Sequence, residues 1–396
     1  MSSTKTLDHF LGLNNVADPM RGTDVGTKLE ETWAWQSIAD NVDGTDSRGL
    51  ALRAGYQLFL AAAITGSYST VDFSRLYIIA GGLLKRVYPS GQTDTLYSDL
   101  SGAAHWSEIN DVVYLSCGAD KLQIEQDNTV NAWGVPTPAQ PIVSAASGSL
   151  SAGVYQVAIT YTDADGREGG ACQAIEITLA AGSGITVSAI PQLHAANVYL
   201  TDADGAVFYL AARPAGSAVT LTIPAAGVEL TTQFLDAPPV AGGHVAFFGA
   251  AAFLAEYIPE IDQTVVWRSR PLAYHLFSPD SDYFIVPGEV TQMHGAATGL
   301  VITTHTRVFS YDGERLAQVA AYGAPPGQHA DLGADEKIYF WTKRGLCRAL
   351  PFENLTEAAV SVAPGVHAGG GIIESNGYRK YVAVIHQGGN AHNARS

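Results

Sequence analysis

The sequence predicts an all-β protein: a β-propeller of about six blades with an inserted immunoglobulin- or fibronectin-like β-sandwich and an extended N-terminal arm. Three observations carry that expectation. Short runs rich in Val, Ile, Tyr and Phe recur between Gly, Asn and Asp, the pattern of antiparallel strands and their turns. A strand-turn-strand unit also repeats weakly: Leu76-Tyr77-Ile78-Ile79 before Gly81-Gly82, Val112-Val113-Tyr114-Leu115 before Gly118, Leu300-Val301-Ile302-Thr303 before Tyr311-Asp312-Gly313, and Ile338-Tyr339-Phe340-Trp341 before Gly345. Within each pair the starts lie 36 and 38 residues apart, close to the ~40–45 residues of a four-stranded blade. Finally, Pro136, Pro138 and Pro141 at one end and Pro238-Pro239 at the other bracket a stretch of about 100 residues with a sandwich's count of strand-like runs. A generic two-sheet β-fold is the other architecture this pattern allows.

Residues 1–44 read as the arm, since Gly12, Asn14-Asn15, Asp18-Pro19, Gly22 and Gly26 break any period. Within it Lys28 to Asn41 has a partial apolar face (Leu29, Trp33, Gln36, Ile38) and is expected to form one short helix. An ordered lid over the core is the alternative for the whole segment. Residues 45–137 hold the first part of the propeller, with strands expected at Tyr56–Ile64, Arg75–Ile79, Leu83–Tyr88, Asp111–Ser116, Lys121–Ile124 and Val130–Trp133. Residues 138–238 form the insert, with strands at Val154–Tyr161, Ala174–Leu179, Ile185–Ala189, Asn197–Thr201, Val207–Leu210 and Val219–Ile223. Tyr155, Val157 and Ile159 fall on one face and Gln156, Ala158 and Thr160 on the other, so one face is expected to pack and the other to meet solvent. The propeller resumes over 239–386, with strands from His244–Phe248 to Tyr378–His386, and 387–396 reads as a flexible tail.

Composition narrows the class. The net charge is −16 and 15% of residues are charged, against about 25% in average proteins, while 47% are hydrophobic, ample for a core. With 22 Lys and Arg the chain is a poor reader of DNA sequence, because affinity for nucleic acid comes largely from cations on phosphates. No run of 18 apolar residues marks a membrane helix, and Met1 to Phe10 lacks the apolar core of a signal peptide. Cys117, Cys172 and Cys347 are odd in number and far apart, which fits folding in a reducing cytoplasm.

The motifs point away from catalysis and cofactors. Asp163-Ala164-Asp165-Gly166-Arg167-Glu168 and Asp202-Ala203-Asp204-Gly205 lack the further acidic ligands of a calcium loop and read as hairpin turns. The eleven histidines show no metal-ligand spacing, and no phosphate cradle or nucleophile elbow occurs. Ser98 to Trp106 approaches the turn motif of propeller glycosidases with its Asp out of register. No catalytic, cofactor-binding or metal-binding residue is therefore assigned, and the chain is expected not to be an enzyme. Lys85-Arg86, Arg268 with Arg270, Lys343-Arg344 and Arg379-Lys380 are small basic clusters. Lys85, Arg86, Lys343 and Arg344 are candidates for touching a passing phosphate backbone, with solvated loop charges as the plainer reading.

Several segments resemble virion proteins of tailed bacteriophages. These are Phe10-Leu11-Gly12-Leu13-Asn14-Asn15 through Asp18-Pro19-Met20-Arg21, Asn41-Val42-Asp43, Arg53-Ala54-Gly55-Tyr56, His105-Trp106-Ser107-Glu108-Ile109-Asn110, Trp267-Arg268-Ser269-Arg270-Pro271 and Gly299-Leu300-Val301-Ile302-Thr303-Thr304. Together they are similar to the tail nozzle or tail-hub propellers of short-tailed phages. The resemblance implies a homo-oligomeric ring, a hexamer, through which DNA is retained and ejected. It implies tail adaptor or portal-proximal proteins and tail fibres or spikes as partners, and transient contact with passing DNA. It implies a place in the virion after assembly in the bacterial cytoplasm, and an arm in which Phe10, Leu13, Asn14, Asn15 and Arg21 contact neighbours. An acidic lumen would then repel the DNA backbone. Two rival readings remain. One is a receptor- or carbohydrate-binding tail component whose Trp33, Trp35, Trp106, Trp133, Trp267 and Trp341 stack on sugars; the other is a propeller glycosidase.

Overall fold

The computed structural model describes residues 9–13, 33–36, 42–44, 50–52, 61, 63–327, 331–332, 337–358, 363–375 and 378–386. Among these there is no α-helix. The chain divides into two compact units, Ala63–Pro287 and Met1–Ala62 with Gly288–Ser396. Of the N-terminal segment, β1 (His9–Leu13) pairs in parallel with β2 (Trp33–Gln36), and β3 (Val42–Gly44) pairs antiparallel with β4 (Leu50–Leu52). The helix expected in Lys28–Asn41 is thus corrected to a strand at Trp33–Gln36. Trp33-Ala34-Trp35 repeats at the period of a strand, and aromatic residues favour that conformation.

The unit Ala63–Pro287 opens with two meanders. The first blade is β5 (Ile64–Ser69), β6 (Leu76–Ala80), β7 (Leu83–Val87) and β8 (Thr93–Tyr97), antiparallel and paired in chain order. The second is β9 (Ala104–Ile109), β10 (Val112–Cys117), β11 (Asp120–Ile124) and β12 (Val130–Ala132). The blades pack face to face: Tyr77, Ile79 and Leu84 of the first meet Trp106, Val113, Leu115 and Leu122 of the second. A strand inside a sheet covered on both faces needs apolar residues at consecutive positions, which is why β6 and β10 are the runs that repeat in the sequence.

Seven strands then form the sandwich. They are β13 (Ile142–Leu150), β14 (Gly153–Thr162), β15 (Ile175–Leu179), β16 (Ser183–Ser188), β17 (Ala195–Thr201), β18 (Phe208–Ala212) and β19 (Val219–Leu221), in sheets ordered β13-β16-β19 and β15-β14-β17-β18. The hairpins β14–β15 and β17–β18 stay within the larger sheet, and every other connection crosses between sheets. Tyr155, Val157 and Ile159 point into the core with Ile185, Val187 and Leu221. The opposite face departs from expectation: Ala158 and Thr160 are buried as well, because the segment after β14 folds back over them. The insert leaves and returns at one place, where the Thr137 hydroxyl donates to Asp236 at 2.6 Å and Asp236 exchanges backbone hydrogen bonds with Phe277.

The third blade is β20 (Val245–Phe248), β21 (Ala251–Ile258) and β22 (Gln263–Arg270), with β22 paired at one end to β23 (Ala273–Phe277) and along the rest to β24 (Tyr283–Pro287). A single 3-10 turn at Pro259–Ile261 joins β21 to β22. Val245, Leu254 and Phe277 pack on Tyr114 and Trp133 of the second blade.

In the other unit, β25 (Val290–Ala296), β26 (Gly299–Thr304), β27 (Val308–Tyr311) and β28 (Leu316–Ala320) make a fourth meander. β29 (Asp331–Leu332), β30 (Ile338–Thr342), β31 (Gly345–Ala349) and β32 (Glu353–Asn354) make a fifth. Val301 and Val308 pack on Ile338, Phe340 and Cys347 between them. The described chain closes with a hairpin of β33 (His367–Ser375) and β34 (Tyr378–His386), paired at nine positions without a bulge. Serial four-stranded antiparallel sheets, each stacked on the next in chain order within its unit, are the organisation of a β-propeller. The expected tail 387–396 lies outside the described residues.

Candidate functional site

The residues singled out in the sequence do not gather into one site. Phe10 and Leu13 lie on β1, and Asn14, Asn15 and Arg21 lie outside the described residues. Lys85 and Arg86 are neighbours on β7, so they face opposite sides of the first blade. The Arg86 guanidinium lies over the Tyr88 ring at 4.9 Å. Lys343 and Arg344 occupy the turn between β30 and β31, where Arg344 pairs with Glu357 at 3.1 Å and stacks on Tyr322 at 4.8 Å.

The distribution of charge over the blades is more regular than these pairs imply. Among the described residues, Lys and Arg within the five meanders occur on third strands: Lys85 and Arg86 on β7, Lys121 on β11, Arg268 and Arg270 on β22, Arg348 on β31. The edge strands β5, β8, β9, β12, β20, β23, β24, β25, β28, β29 and β32 carry none. Those edges hold few carboxylates too, Asp94, Glu108, Asp331 and Glu353. The acidity expected to line a lumen therefore does not follow the blade edges; carboxylates such as Asp72, Asp111, Glu125, Asp127, Asp312 and Glu314 sit in the turns.

The densest polar constellation joins the second blade to the sandwich. Asp163 Oδ1 accepts from the backbone N–H of Asp165 and Arg167, and Oδ2 accepts from Arg167 Nε at 2.7 Å. Its lone pairs are spent on closing the turn, which is what the Asp-Gly spacing predicts. Arg167 Nη1 then reaches across to Gln123 Oε1 on β11 at 2.7 Å, and Gln123 Nε2 donates to Glu125 at 2.9 Å. Next in the chain, Glu168 Oε1 accepts from Asn197 Nδ2 at 2.9 Å, from the Tyr199 hydroxyl at 2.7 Å and from Thr160. Burial and the adjoining Glu168 carboxylate push the Tyr199 phenol well above its usual range. Sequence reasoning missed this network because its members are drawn from β11, β14 and β17 and from the loop between β14 and β15.

Beside it opens a cleft of about 530 Å³ lined by Glu125, Gln126, Asp127, Thr129, Asn131 and Asp165. Three carboxylates and no lysine or arginine line it, so it is anionic. Among the described residues no three His, Cys, Asp or Glu side chains are placed to hold a metal ion. A second polar cluster is buried where the chain returns from the insert. Lys121 Nζ donates to the carbonyls of Gly118 and Val240 at 2.8 Å each, and burial draws its pKa down to about 8. His105 stacks on His244 with ring centres 3.9 Å apart, and burial, with Lys121 adding to it, takes its pKa down to about 4. Trp106, Trp133 and Trp341 are buried in the blades, which removes them from a sugar-stacking surface.

No protein-family model matches the sequence, and no curated protein matches it. Among solved structures the chain is similar to PorZ, a surface component of the type IX secretion system of Porphyromonas gingivalis, at 10% identity and TM-score 0.24, covering 83% of this chain and 57% of PorZ. It is similar to a protein of unknown function from Desulfotomaculum acetoxidans at 13% identity and TM-score 0.31, covering 87% and 94%. AztD of Citrobacter koseri matches at 12% identity and TM-score 0.27, covering 81% and 89%. The assignment of blades rests on the sheet order described above and not on these likenesses.

Proposed function

We propose that the chain is a non-enzymatic structural subunit of a bacteriophage tail, a nozzle or hub that assembles as a homo-oligomeric ring around the path of the DNA. The observation that carries this reading is the absence of Lys and Arg from every described edge strand of the blades. Phosphate binding depends on such cations, so blade edges without them let DNA pass with little adhesion. The segments similar to tail nozzle proteins support the same reading, and the stacked blades supply a rigid block for it. In this role the sandwich projects toward fibres or spikes, the arm engages neighbouring copies, and adaptor or portal-proximal proteins sit above. The protein then works in the virion after assembly in the bacterial cytoplasm. Native mass spectrometry of the purified full chain tests the assembly: a closed oligomer, six copies of 41.7 kDa, is the expected result, and a monomer at every concentration contradicts it.

A further inference from the structure

We propose that copies of this chain join head to tail through two exposed apolar patches, the outer face of the third blade on one copy and the β33–β34 hairpin on the next. The proposal rests on the assembly reading above and names the surfaces that would make it.

The first patch follows from register. Val265 on β22 stands opposite Glu256 on β21 and Ile285 on β24, and Trp267 stands opposite Leu254 and Tyr283, so all six share one face of the third blade. At the inner end Leu254 and Trp267 pack with Tyr114 and Trp133. At the outer end the face is uncovered, with Tyr283 46% and Ile285 44% exposed. Glu256 lies half-buried in this apolar strip, and no described residue gives it a hydrogen bond or an ion pair. Burial alone pushes its carboxyl up. A carboxylate so placed gains most from a partner that brings both apolar cover and a cation.

The second patch has that composition. Val382 and Val384 on β34 are 40% and 71% exposed. They stand opposite Gly371 and Gly369 on β33, and Lys380 holds the next register position on the same face. Glycines opposite the valines keep the surface flat enough for another sheet to approach. Aliphatic side chains plus one cation on the hairpin complement aromatic and aliphatic side chains plus one carboxylate on the blade. The patches differ, so the contact is heterologous, and repetition closes into a ring when the rotation allows. The sequence itself carries both halves, which makes a second copy the occupant.

The test is the mass of the full chain against concentration for the wild type, Glu256→Lys, Lys380→Glu, and an equimolar mixture of the two variants. Each variant alone should raise the concentration for half-assembly at least about tenfold. The mixture should assemble, because each altered patch then meets its opposite charge. Ile285→Ser and Val384→Ser, which leave the charges in place, should weaken assembly in the same direction, and far-UV circular dichroism should show unchanged melting. Variants that assemble like the wild type, or a mixture that stays apart, overturn this interface while the oligomer stands. A wild type that is monomeric throughout overturns the oligomer and the interface together.

Discussion

Lys121 and His105 occupy one buried corner, and the chemistry there sets a pH dependence that can be measured. His105 titrates near 4 in the folded chain and near 6.5 when unfolded, and His294, wholly enclosed, behaves likewise. The unfolded chain therefore binds these protons first, so stability is full above about pH 6.5 and declines as pH falls toward 4. Denaturant midpoints at pH 7, 5.5 and 4.5 should fall in that order, and His105→Gln should flatten the decline; a wild-type profile flat over this range contradicts the account. Asp72 titrates lower, near 2, held down first by its hydrogen bonds with Thr70 and Ser74, and stays out of this window. None of this was legible in the sequence. Lys121 reads there as one residue of a strand, while Val240, whose carbonyl it holds, lies 119 positions away.

The blade is the element that the sequence showed best, for a physical reason. Its second strand is covered on both faces and needs consecutive apolar residues, so β6, β10, β26 and β30 stand out. Strands with one face toward solvent show less: β13 was missed because Ser144-Ala145-Ala146-Ser147-Gly148 offers no apolar alternation. The turns that fix the blades depend on backbone approach. Gly118, at φ +57°, follows β10, and a Cβ there would lie 2.1 Å from the Ser101 carbonyl oxygen. Gly81, at φ +60°, holds a similar conformation with open space around it. Gly118→Ala should then cost roughly 2–4 kcal/mol, by strain and clash together, and Gly81→Ala about 1–2 kcal/mol by strain alone. Urea denaturation of the two variants decides the point, and equal losses would remove the argument from packing between the first and second blades.

At the scale of the molecule, charge placement corrects the sequence reading. A net charge of −16 in a chain likened to a DNA conduit led to the expectation of an acidic lumen, yet the described blade edges carry few charges of either sign. Composition counts carboxylates but does not place them, and strand edges select for small and uncharged side chains that pair and pack. The anionic cleft between the second blade and the sandwich arises in the same way, from turns that converge after folding: Glu125 and Asp127 from one, Asp165 from another. What the sequence did show at this scale is the insert, because its prolines and its change of composition mark both ends. The insert's return beside its departure, through Thr137 and Asp236, explains how a whole sandwich interrupts a row of blades without disturbing their order. The central claim, a structural subunit of the phage tail, is tested most directly by electron microscopy of purified virions labelled with antibody against this chain. Label at the tip of the tail is the result this account predicts, and label confined to the capsid, or absent from virions and found in host cytoplasm alone, would contradict it.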